Sequence, residues 1–140
     1  MKRFLFCILI LAQLFMVCSC QELFKEEKYE LLYGHEEIQE ISIVNVLAKN
    51  VAEYETILII YDKDAFLDDF EKIMFERFII GDPTYISSGY AIRILYKNGD
   101  CEFINHFAQE KKISGKSHFG RHYCDESEFQ ALLNKYLKKS

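Results

Sequence analysis

The chain of 140 residues has no tryptophan, one proline (Pro83) and six glycines. So little proline and glycine excludes collagen-like and low-complexity composition. No segment repeats at solenoid or propeller periods and no heptad run occurs, which excludes repeat arrays and coiled coils. Fingerprints for a dinucleotide, a P-loop, an H-E-x-x-H zinc site and a G-x-S-x-G elbow are all missing. No cofactor is therefore expected, and the balance leans away from an enzyme. An excess of positive charge is missing too. The formal charge is −5, a poor match for nucleic acid, whose affinity rests on neutralising phosphates.

What is present is unevenly placed. Cys7, Cys18 and Cys20 fall in the first twenty residues, leaving only Cys101 and Cys124 beyond them. That opening stretch holds Lys2 and Arg3 and no acid, so without it the charge moves from −5 to −7. The remainder is about 45% apolar, enough to bury the core of one globular domain.

Lys2 and Arg3 precede an apolar run from residue 4 to 17, interrupted by Gln13 and followed by Cys18, Ser19 and Cys20. This is the grammar of an export signal, and fourteen residues are short for a membrane span of about 20. Val17-Cys18-Ser19-Cys20 resembles the lipobox of bacterial lipoproteins. The resemblance implies a signal peptide over residues 1–19 and lipidation of Cys20 by diacylglycerol, with palmitate among the acyl chains. It also implies a domain held at the bacterial cell membrane or outer membrane, in the cell envelope. Cys18 as the acceptor would put Phe15 at −3 and Val17 at −1 and fits less well. The alternatives are ordinary secretion and an uncleaved anchor. Residues 20–37 are acidic and are expected to form a tether, with Leu31, Leu32 and Tyr33 near the start of a single domain over residues 38–140.

Residues 38–47 (IQEISIVNVL) and 54–61 (YETILIIY) read as strands rich in β-branched residues. Asp62 and Asp64 suit a helix N-terminus, and Phe66, Phe70, Ile73 and Met74 share one helical face. The helix ends before Phe78, or ends near Lys72 with residues 73–80 as a strand. Gly81-Asp82-Pro83 opens a loop. Asn98-Gly99 predicts a two-residue type I′ turn joining strands over 90–97 and 100–107. In that register Ile94 faces Phe103, and the core face holds Tyr90, Ile92, Ile94, Tyr96, Cys101, Phe103 and Phe107. Asp125 with Glu128 resembles a capping box ahead of the stripe Phe129, Leu132, Leu133, Tyr136 and Leu137. The expected fold is α+β: an antiparallel sheet with two helices packed on one face, the C-terminal one amphipathic. A small β-barrel closed by that helix is the alternative. The stretches SGYAIRILYKNGDCEFI and CDESEFQALLNKYL also resemble small exported bacterial domains of uncharacterised function, in structural features alone.

Cys101 and Cys124, an even pair in an exported domain, invite a disulfide; the alternative is two half-buried free thiols. His118, His122 and Cys124 have ligand chemistry at close spacing but no familiar second pair, and Cys124 with a histidine is a formal nucleophile pair. Lys111, Lys112, Lys116 and Arg121 gather after the hairpin, where an anion, a lipid head group or an acidic glycan could bind, or where they form a solvated loop. Asp62, Asp64, Asp68 and Asp69 lack the glycine and distal glutamate of a calcium loop. The reading that follows is a lipid-anchored, non-catalytic binding or envelope-assembly module with a protein partner at the envelope or surface. An exposed apolar patch at Leu95 and Ile104 would mark its surface. An immunity or inhibitor protein against a toxin or hydrolase, and a thiol- or metal-dependent enzyme using Cys124, are the alternatives.

Overall fold

The run ISIVNV at residues 41–46 is apolar or small at nearly every position, the pattern of a strand covered on both faces. The computed structural model describes residues 26–47, 51, 53–77, 86 and 89–138. It places this run in β2 (Ile38–Val46), between β3 (Tyr54–Ile60) and β5 (Gly89–Tyr96). The sheet continues through β6 (Cys101–Ile104), β7 (Gln109–Ile113) and β8 (Lys116–Gly120), in the order β3-β2-β5-β6-β7-β8. All its pairings are antiparallel. A smaller antiparallel sheet joins β1 (Glu26–Lys28), β4 (Met74–Arg77) and β9 (His122–Tyr123). Helices α1 (Lys63–Phe70) and α2 (Glu126–Leu137) complete an α+β fold, and no closed barrel forms among the described residues.

Two cores result. On one face Ile41, Ile43, Ile92, Ile94 and Ile104 pack with Phe66 and Phe70 of α1 and with Phe129, Leu133 and Tyr136 of α2. Fully burying Phe129 or Leu133 is worth roughly 1.5–3 kcal/mol each. The other face carries a smaller cluster of Val44, Val46, Ala91 and Phe103 with Val51, Ile86 and Ala108. Ile43 and Val44 are neighbours in sequence yet serve different faces, which is why both are buried. The α2 cap is as expected: the Asp125 carboxylate accepts from the Ser127 and Glu128 amides at 2.8 and 3.1 Å.

The β5–β6 register differs from the expected one by a single residue. Leu95 faces Cys101 and Ile94 faces Glu102, so Ile94 does not face Phe103. The connection is a three-residue loop. The Gly99 amide donates to the Tyr96 carbonyl at 2.9 Å, the Tyr96 amide donates to the Asp100 carbonyl at 2.9 Å, and Gly99 takes φ +89°. Asn98 and Asp100 select this loop. The Asn98 Oδ1 accepts from the Asp100 amide at 2.9 Å, and the Asp100 carboxylate is pinned by the Tyr33 hydroxyl at 2.6 Å and the Ser114 amide at 2.8 Å. A one-residue slip inverts a strand. Cys101 and Phe103 move to the second face, and Glu102 takes a place in the helix-side core. Tyr90 is exposed. The type I′ geometry occurs instead at Ser114-Gly115, where φ is +50° and +77° between paired Ile113 and Lys116.

Other boundaries also move. Helix α1 stops at Phe70, and Met74–Arg77 is a strand, the shorter of the two helical readings. The expected tether is part of the fold from residue 26. There β1 pairs with β4, Tyr29 is buried, and Leu31, Leu32 and Tyr33 pack on the main core. The signal segment, Cys20 and the Gly81-Asp82-Pro83 loop lie outside the described residues.

Candidate functional site

Glu102 is fully buried on the helix side of β6. Its carboxylate accepts from the Tyr29 hydroxyl at 2.7 Å, from the Leu32 amide at 2.6 Å and from the Tyr96 hydroxyl. Lys111, its cross-strand neighbour on β7, lies 3.5 Å away and also donates to the Glu30 carbonyl at 3.0 Å. Burial, followed by the repulsion of Glu102, pushes both phenols well above their ordinary range, so they stay protonated and donate. The Glu102 carboxylate presents no surface to solvent. It ties residues 29–32 to the sheet.

The cysteine pair is not joined. Both thiols are free, and they lie on opposite sides of the sheet, Cys124 against the helix-side core and Cys101 against the smaller one. Burial, with Glu128 and Asp125 nearby, pushes the Cys124 thiol up to about 12. Burial also raises Cys101, while Arg93 and Lys112 pull it back. His118 and His122 are separated as well. His118 sits on β8 opposite Lys111, and His122 lies 4.0 Å from the Glu27 carboxylate. Among the described residues no three His, Cys, Asp or Glu side chains converge to hold a metal.

Lys111, Lys112 and Lys116 are in a hairpin rather than a loop, and strand alternation divides them. Lys111 points to the Glu102 side. Lys112 points to the other, where it donates to the Val51 carbonyl at 3.0 Å, covers the Phe103 ring at 5.1 Å and lies 3.8 Å from Glu110. Lys116 is exposed and Arg121 half-buried. The structure brings no four of them together.

One open feature among the described residues is the outer edge of β3. Ile57, Ile59 and Tyr61 are exposed there, Tyr61 by 91%, while Tyr54 packs on the Phe103 ring at 5.3 Å on the second face. Ile57 is an extra residue: Leu58 pairs with Ile43 and Thr56 with Val44, so a bulge separates the two halves of the strand. The Asp62 carboxylate accepts from the Ala65 amide at 3.1 Å and starts α1 directly after the strand. That turn, with α2 behind it, leaves a groove of about 520 Å³ along residues 58–62, floored by Ala65 and Tyr136. Its far wall is fastened at Asp69, which receives the Tyr136 hydroxyl at 2.8 Å, Lys72 at 3.1 Å and Lys135. These donors, Lys135 first, hold the Asp69 carboxyl well below the usual carboxylate range. Asp64 and Asp68 are exposed and make no ion pair among the described residues.

The expected patch at Leu95 and Ile104 does not form, because Ile104 is fully buried and Leu95 half-buried. The signal for the real patch is the unbroken apolar run at residues 57–60. Such a run needs cover on both faces, and an edge strand does not receive it. Comparison with known proteins finds no matching family model, curated protein or solved structure.

Proposed function

We propose that this chain is a bacterial lipoprotein, anchored through Cys20, whose α+β domain is a non-catalytic binding or assembly module at the cell envelope. The anchor is supported by the order of charge, apolar run and Cys-Ser-Cys in the first twenty residues. Two acyl chains on one cysteine suffice for stable membrane attachment. The observation that carries the binding reading is the exposed apolar edge Ile57-Ile59-Tyr61 beside a groove. Large apolar groups gathered on a surface mark interaction sites. The thiols argue in the same direction: a nucleophilic cysteine needs a lowered pKa and access, and both here are half-buried with raised values.

The test is labelled-palmitate incorporation and membrane fractionation of wild type and Cys20→Ala, with cross-linking in native membranes. Label and membrane retention lost only in Cys20→Ala, with one stoichiometric protein cross-linked to the wild type, is the expected result. An unlabelled, soluble wild type overturns the anchor. A partner held equally by the soluble variant moves the function toward an immunity or inhibitor protein.

A further inference from the structure

The two outer strands of the large sheet are protected differently. An unpaired edge is a template for another strand, and proteins commonly guard it with lysine, proline or a bulge. The β8 edge (KSHFG) exposes Lys116, Ser117 and His118. The β3 sequence YETILII has no lysine, arginine or proline, and its Ile57 and Ile59 are 42% and 40% exposed. Among the described residues its guards are exposed Glu55 and the bulge at Ile57, both toward the N-terminal half of the strand. The stretch left competent, residues 58–61, is the stretch that runs along the groove.

Charge indicates what could lie there. Exposed Glu53 and Glu55 flank one end of the strand, and exposed Asp62, Asp64 and Asp68 flank the other. The groove's two lysines, Lys72 and Lys135, are both engaged by Asp69. A second copy pairing antiparallel across this edge would set Glu53 and Glu55 of each chain against the Asp62–Asp68 acids of the other. Like charges brought together in this way disfavour the contact. A segment with cations at its ends meets carboxylates at both ends in either direction.

We propose, building on the binding-module reading, that β3 takes up an extended segment of a partner protein as a seventh strand. That segment is a short apolar, β-branched run flanked by lysine or arginine. Main-chain hydrogen bonds along residues 58–61 supply affinity, and alternate side chains entering the groove supply selectivity. Four strand residues span about 13 Å, so the recognised core is three to five residues long.

The probe is a fluorescein-labelled Lys-Lys-Val-Thr-Val-Thr-Val-Lys-Lys peptide, titrated by anisotropy against the full chain in detergent. Controls are a glutamate-flanked version and one with alternate backbone amides N-methylated. Saturable binding is expected, at least about tenfold weaker for either control. Ile59→Lys, at an exposed site that leaves the core alone, is expected to weaken it by about tenfold and Lys116→Glu to leave it unchanged. The N-methylated peptide tests strand pairing without altering the protein. Equal binding of the N-methylated peptide, or no binding of the parent, overturns the proposal. A concentration-dependent dimer abolished by Ile59→Lys, with no peptide bound, assigns the edge to a second copy instead. Partner cross-linking in membranes that Ile59→Lys leaves intact overturns the strand site while keeping the binding module.

Discussion

Glu102 and Glu110 are both fully buried on neighbouring strands, yet they face opposite sides of the sheet and are treated differently. Glu102 receives two phenols, an amide and a lysine. Glu110 receives the Ser117 hydroxyl at 2.6 Å on one oxygen, with Lys112 at 3.8 Å, and its other oxygen has no hydrogen-bond partner among the described residues. A buried polar group left unpaired costs stability, whereas a satisfied network fixes one arrangement of the chain. The helix side is therefore where the fold is specified. Its buried carboxylate fixes the seat of residues 29–32. The second side is held chiefly by the contacts of a small apolar cluster.

Removing each carboxylate should separate the two faces. Glu102→Ala strands Lys111, two hydroxyls and the Leu32 amide, and is expected to cost about 3–5 kcal/mol, the usual result of breaking a buried charged pair from one side. Glu110→Gln keeps an amide oxygen for the Ser117 hydroxyl and gives up a charge whose lysine stands 3.8 Å away, and is expected to change stability by less than about 1 kcal/mol. Denaturant unfolding reads both. Hydrogen exchange in Glu102→Ala should show protection lost first at residues 29–33. Equal costs at the two positions would mean that hydrogen-bond satisfaction does not distinguish the faces.

That contrast also explains what the sequence could and could not disclose. The strands 38–46 and 54–60 and the C-terminal helix were legible because their patterns are local: β-branched runs and a capped apolar stripe. The inversion of β6 was not. Asn-Gly satisfies both a two-residue turn and the glycine end of a three-residue one, and the choice is made by Tyr33 and Ser114, distant partners of Asp100. Because Phe103 is apolar and Glu102 charged, pattern alone assigns the wrong one to the larger core. Only the long-range contacts of Tyr29, Leu32 and Lys111 make the buried glutamate acceptable. The expected tether over 20–37 overreaches for the same reason, since the acids around Tyr29 mask the one core residue there that local pattern does not mark. For the candidate site, the apolar run at 57–60 was visible, but its position on an edge follows from strand order.

The two thiols provide a milder comparison of the faces. Each is half-buried, but Cys124 is pushed up to about 12 by burial and the acids Glu128 and Asp125, while Arg93 and Lys112 offset part of the rise at Cys101. Thiolate is the species that alkylates. At pH 8 iodoacetamide should modify Cys101 faster than Cys124, and both more slowly than a free thiol near pKa 8.5. Peptide mapping of the timed reaction gives the rates, with Cys101→Ala and Cys124→Ala as assignments. Faster modification of Cys124 would show that the helix-side core opens more readily there than its packing implies.

The smallest effect is expected at Asp69, where α1 and α2 are fastened at the wall of the groove. Its carboxyl is held below the usual range by Lys135, Tyr136 and Lys72. A depressed carboxyl contributes stability that is present above the unfolded value, near pH 3.9, and is lost as pH falls through the folded one. The Tyr136 phenol shows the opposite sign. It is raised to about 12 by burial and by Asp69, so its share is present below about pH 10 and fades as pH rises through 12. Asp69→Asn is therefore expected to cost under about 1 kcal/mol at neutral pH, as for a largely surface ion pair. The gap to wild type should begin to narrow below pH 4 and close only as pH falls through the folded value. Urea unfolding at pH 7, 5 and 3 measures it. A gap that stays constant to pH 3 would show that the asparagine is lost packing rather than lost charge. The groove wall would then rest on the Tyr136–Phe66 ring contact at 5.0 Å more than on the two lysines.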